Sequence, residues 1–152
     1  MLNPTDHPQV NAVLADYLAA LHDELGQALL SVYLLGSLST ASYVPGWSDV
    51  NGVIVVRTGS PTPAIEPCVQ TAPPDWRGRL FTCCVPQAAL KNVTWQNHPP
   101  GWGLIDLTNL VEDGRLIWGE ELCDELERPT LEELRAYVIW ELVNLLEAST
   151  AP

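Results

Sequence analysis

The stretch from Tyr33 to Val56, YLLGSLSTASYVPGWSDVNGVIVV, limits the fold more than any other part of the chain. It joins two apolar runs of strand length, Leu29 to Leu35 (LLSVYLL) and Val50 to Val56 (VNGVIVV). Runs without polar alternation are the pattern of strands covered on both faces. Gly36 and Ser37 break the first run, and Ser48 and Asp49 open the second. A glycine at a strand end lets the chain turn sharply and brings backbone N–H groups close to an anion, and the Ser37 hydroxyl adds a donor. That combination suits phosphate. Carboxylates at the alternate positions 49 and 51 would leave the same side of a strand and hold divalent ions against a triphosphate. Here the first is Asp49 and the second is Asn51. Asn51-Gly52 between apolar residues is also a type I′ hairpin signal, and in that alternative Asp49 is an ordinary strand residue.

Around this centre the pattern is mixed. Val10, Val13, Leu14, Tyr17, Leu18, Leu21 and Leu25 recur at three- and four-residue steps, which predicts an amphipathic helix stopped at Gly26. Gly59 to Pro74 is proline-rich without periodicity and is expected to be a long surface loop. Leu80 to Val85 (LFTCCV) reads as a third strand, followed by a short helix or turn at Ala88 to Leu90. The section from Trp95 to Gly103, with Pro99-Pro100-Gly101, is expected to be irregular. Leu104 to Val111 fits helix or strand, and Gly114 to Gly119 an extended piece. Thr130 and Glu133 form a capping-box signal for a terminal helix over 131–147.

With these residues the chain resembles the nucleotidyltransferase superfamily, and within it the minimal nucleotidyltransferases and aminoglycoside adenylyltransferases. Their pattern is a Gly-Ser turn followed by Asp-x-Asp at the next strand, matched here by Gly36, Ser37 and Asp49. The resemblance covers roughly Val10 to Val85 and more loosely Leu110 to Val138. It implies an α/β (α+β) fold, a small mixed β-sheet with flanking helices of the DNA polymerase beta-type core. It also implies transfer of a nucleoside monophosphate from ATP to a small-molecule hydroxyl or to a protein. Gly36, Ser37 and Ser48 would bind the nucleotide, Asp49 and Asn51 would occupy the catalytic positions, and Asp49 would take Mg²⁺. The family's second acid is Asn51 in this chain, and Phe81 stands on the strand where the third is expected. No acid occurs between Asp75 and Asp106, which makes Asp106 the replacement candidate.

An amide is a weaker Mg²⁺ ligand than a carboxylate, and loss of charge stabilisation at such a site costs several kcal/mol, or a factor of about 10³ in rate. Two readings follow: a transferase of weak activity, or a catalytically inactive module that binds a nucleotide or a partner protein. Drug-modifying members of the family continue into a helical second domain for which this chain is too short. The apolar face of the terminal helix is therefore expected to pack on the first helix or to form a homodimer.

Composition bounds the partners. The 152 residues suit a single domain, and seven basic against 19 acidic residues give a net charge of −12, which repels a nucleic-acid polymer and attracts a cationic acceptor. No leader pattern or membrane-length apolar run occurs, so a cytoplasmic chain without a membrane partner is expected. Cys68, Cys83, Cys84 and Cys123 lack metal-knuckle spacing and read as reduced, mostly buried thiols. His98 reads as a solvated loop residue and Trp95, Trp102 and Trp118 as core rather than base-stacking groups. Glu120, Glu121, Asp124, Glu125 and Glu127 read as a solvated acidic surface.

Overall fold

The computed structural model describes residues 4–58, 62–99 and 101–150. In chain order the elements are α1 (Pro8–Leu25), β1 (Leu29–Leu35), β2 (Val50–Val56), α2 (Thr62–Val69), α3 (Pro74–Arg77), β3 (Leu80–Pro86), α4 (Gln87–Leu90), α5 (Leu104–Asp113), β4 (Arg115–Gly119) and α6 (Leu131–Thr150). The strands form one mixed sheet in the order β3-β2-β1-β4. β1 pairs antiparallel with β2 and β4, and β2 pairs parallel with β3. The parallel step is bridged by α2 and α3, as a parallel pair requires a crossover.

Both faces of the sheet are covered, which explains why all seven residues of β1 are buried. Alternation sorts its side chains into two layers. Val32 and Leu34 join Val50, Ile54 and Val56 of β2 beneath α1, whose Val10, Leu14, Tyr17 and Leu21 form the buried stripe. Leu30, Tyr33 and Leu35 join Val53 and Val55 on the other face, under Leu104, Leu107 and Leu110 of α5 and Tyr137 of α6. Gly52 leaves no room for a side chain on β2: a Cβ there would stand 2.8 Å from the Tyr33 carbonyl oxygen. Only glycine fits that approach without moving a strand.

Several expectations change. Asn51 and Gly52 do not form a hairpin turn; they lie inside β2, paired with Leu35 and Leu34, because the ladder to β1 runs through them. The expected loop over 59–74 holds two helices, α2 and the start of α3, in its described part, with residues 59–61 outside the described residues. Ile65, Cys68 and Ala72 are buried against the α1 layer, and that burial holds α2 together although Pro67 brings no N–H to it. Tertiary packing overrides local propensity here. Pro100 also lies outside the described residues, while its neighbours Pro99 and Gly101 are in irregular structure, as expected.

The ambiguous segment from Leu104 is the helix α5, and the extended piece before Gly119 is an edge strand beside β1. The terminal helix begins as expected, with the Thr130 hydroxyl accepting from the Glu133 N–H at 3.2 Å and the Glu133 carboxylate accepting from the Thr130 N–H at 2.8 Å. It packs on the α5 side through Leu134, Tyr137 and Trp140, not on α1, which lies across the sheet. Leu131, Ile139, Leu142, Leu145 and Leu146 remain more than half exposed.

Among the described residues no helix is long and apolar enough to cross a membrane. The four cysteines are thiols, Cys68 and Cys84 buried and Cys83 and Cys123 half-buried. His98 is not a solvated loop residue; its ring is half-buried, edge-on to Tyr137 and Trp140 at 5.5 and 5.3 Å. Trp95, Trp102 and Trp118 all pack in or against the core. The acidic stretch is only partly a free surface, since the Glu121 carboxylate accepts from the Tyr33 hydroxyl and from the Leu122 and Cys123 N–H groups. Burial pushes the Glu121 carboxyl up, but these hydrogen bonds outweigh it and hold the group below the ordinary carboxylate range.

Candidate functional site

Because β1 and β2 run antiparallel, the end of β1 and the start of β2 meet at one end of the sheet. Gly36 follows β1 with φ +65, a left-handed conformation that glycine adopts without strain. Its carbonyl oxygen is an anchor for the turn, accepting from the Ser39 and Thr40 N–H groups at 3.1 Å and from their hydroxyls at 2.8 and 3.0 Å. Across the strand gap the Asn51 amide leans over this turn, its Nδ2 standing 3.3 Å from where a Gly36 Cβ would be. Close approach and positive φ together demand the glycine.

A cavity of about 430 Å³ opens at this end of the sheet, on the α5 side. Leu35, Gly36, Asn51 and Gly52 supply one wall, Phe81, Thr82 and Cys83 of β3 the next, and Gly101 and Trp102 with Asp106 and Asn109 of α5 the far side. Asp106 and Asn109 reach the cavity together because residues three apart share a helix face. The Asp106 carboxylate also accepts from the Gly103 N–H at 2.9 Å, capping α5. Burial, and then the Asp106 carboxylate, push the Cys83 thiol up to about 11, which leaves it protonated and unsuited to nucleophilic work. The Trp102 indole N–H is buried with no hydrogen-bond partner among the described residues.

The residues expected at the site from sequence divide. Gly36 and Asn51 line the cavity, with Phe81 beside Asn51 in the parallel register and Asp106 opposite. Ser37, Ser48 and Asp49 sit at the same end of the sheet but outside the cavity lining. Asp49 is exposed, one residue before β2. Ser48 is engaged with the backbone: its hydroxyl oxygen accepts from the Val44 N–H at 2.9 Å and its carbonyl accepts from the Arg79 guanidinium. Taken singly, Asn109 and Cys83 carry no signal for this site in the sequence, and Trp102, which the sequence reads as core, lines the cavity as well. The i,i+3 pair Asp106 and Asn109 was a readable signal once Leu104 to Val111 is taken as helix.

The cavity offers a magnesium ion few donor oxygens, since that ion takes one or two carboxylates with waters and phosphate oxygens in an octahedron. Among the described residues no group of three His, Cys, Asp or Glu side chains converges. The cavity lining holds one carboxylate, Asp106, and none of its residues is Lys, Arg or His.

This architecture is that of a nucleotidyltransferase-like fold. A spectinomycin adenyltransferase from Enterococcus faecialis, solved with ATP and spectinomycin, superposes with a TM-score of 0.66 at 16% identity, over 91% of this chain and 68% of that one. A toxin–antitoxin structure with AMP-PNP also matches, at TM-score 0.48 and 16% identity, over 89% of this chain and 92% of that one. No protein-family model and no curated protein sequence matches the chain.

Proposed function

We propose that this chain is a nucleotide-binding module on a nucleotidyltransferase-like fold in which nucleotidyl transfer is lost or slow. The observation that carries the reading is the pairing of a Gly36 turn with neutral Asn51 and Phe81 in one cavity. The turn and the space for a nucleotide are kept, while the charges that would stabilise a transferring phosphoryl group are not. That the adenyltransferase of the same fold was solved with ATP supports a nucleotide as ligand. In this reading Gly36 and Ser37 lie nearest the phosphate, with Ser48 fixing the loop that leads to Asp49. The whole chain acts as one domain in the cytoplasm, and a second copy or a partner protein covers the exposed face of α6.

A second reading keeps transfer to a hydroxyl of a small, cationic acceptor or of a protein, because Asp106 brings a carboxylate to the wall opposite Asn51 and Asp49 lies at the same end of the sheet. Calorimetry with AMP-PNP beside a transfer assay with labelled ATP separates the two. Binding without label transfer supports the module. Transfer abolished by Asp49→Ala or Asp106→Ala rejects it.

A further inference from the structure

We propose that the cavity takes its nucleotide without a divalent cation and favours the nucleoside and nucleoside monophosphate over the triphosphate; this rests on the nucleotide-binding reading above. The lining carries a single charge, the Asp106 carboxylate, and offers amides at Asn51 and Asn109. Amides and one carboxylate suit the hydroxyls of a ribose and the edge of a base, which both donate and accept. Phe81 is 53% exposed although it stands in a sheet strand, so its ring is a free apolar surface beside the cavity on which a base can stack.

A triphosphate has the opposite requirements. Its four negative charges need cations, and the cavity lining supplies neither Lys nor Arg nor the converging carboxylates that would recruit Mg²⁺. A chain of net charge −12 adds a repulsive field, and Asp106 adds a near charge of the same sign. Each phosphate after the first therefore weakens binding here, whereas at a metal-loaded site each strengthens it. The neutral pair Asn51 and Phe81 turns the charged floor expected of this fold into one that reads the uncharged part of the ligand.

The test is calorimetric titration of the full chain with adenosine, AMP and ATP, each with excess Mg²⁺ and again with EDTA. The expected result is the same affinity for adenosine and AMP in both conditions, with ATP weaker by about tenfold or more. Phe81→Ala, at a position 53% exposed on an outer strand, should weaken adenosine by about tenfold through the lost stacking, with circular dichroism expected to match the native chain. Binding that appears only with Mg²⁺, with ATP tightest, overturns the inference while leaving nucleotide binding standing. No heat and no thermal shift with any of the three ligands, with or without Mg²⁺, overturns the nucleotide-binding reading itself and this inference with it.

Discussion

Asn51 and Phe81 are neighbours across the parallel β2–β3 ladder. Residues in register on adjacent strands present their side chains to the same face, so an amide and an aromatic ring adjoin at the floor of the cavity. Placing carboxylates at both positions in Asn51→Asp/Phe81→Asp would set two acids side by side, with Asp106 on the wall opposite. The double variant should bind Mg²⁺ at least about tenfold tighter than the native chain, titrated calorimetrically with the metal alone. Equal affinity in the two proteins would show that the positions do not converge.

Gly52 lets β2 pass close to β1, since a Cβ would fall 2.8 Å from the Tyr33 carbonyl. Gly52→Ala should therefore cost about 1–3 kcal/mol of stability by forcing the two central strands apart. Urea unfolding monitored by circular dichroism measures it; an unchanged midpoint contradicts the geometry.

The Tyr17 hydroxyl lies 2.7 Å from the Thr82 hydroxyl and ties α1 to β3 below the cavity. Its ring is buried, and burial pushes the phenol well above its ordinary range, so the group stays a neutral partner. Tyr17→Phe removes only the hydroxyl and should destabilise the chain by about 1 kcal/mol, read from the same unfolding curves, with the Thr82 hydroxyl left to find another partner.

Acid sensitivity should run through Glu121. Its carboxyl is held below the ordinary range in the folded chain by the Cys123 and Leu122 N–H groups and the Tyr33 hydroxyl, despite the opposing effect of burial. A folded value below the unfolded one contributes stability that is fully present above the unfolded carboxylate range and is lost as pH falls through the folded value. Glu121→Gln should accordingly flatten the fall in melting temperature on acidification below the ordinary glutamate range. A variant with the native pH profile would rule this group out.

The exposed apolar residues of α6, among them Leu142 at 54% and Leu145 at 63%, should drive association. The native chain is expected to sediment above its 16.7 kDa monomer mass, and Leu142→Lys/Leu145→Lys to return it to that mass without change in circular dichroism. A monomer at every concentration would leave that face to a different protein.

How far the fold could be read from the chain depended on how local the signal was. The unbroken runs of β1 and β2, the stripe of α1 and the Thr130–Glu133 cap are statements about neighbouring residues, and the strands and helices stand where these put them. α2 was hidden because its prolines speak against a helix and its support comes from Ile65 and Cys68 packing on α1, a contact no local pattern announces. Asn51-Gly52 misled in the other direction, since a local turn preference yields to a continuous ladder with β1.

At the site the division is similar. A glycine turn that ends one buried strand, an acid at Asp49 before the next, and uncharged residues at Asn51 and Phe81 can all be read along the chain. It takes the folded chain to show that Asn51 and Phe81 are side by side, that Asp106 and Asn109 face them from α5, and that Asp49 stays outside the cavity they line. The physical reason is that charge and backbone freedom belong to each residue alone, whereas a cavity is made by strand register and helix packing between segments far apart in the chain.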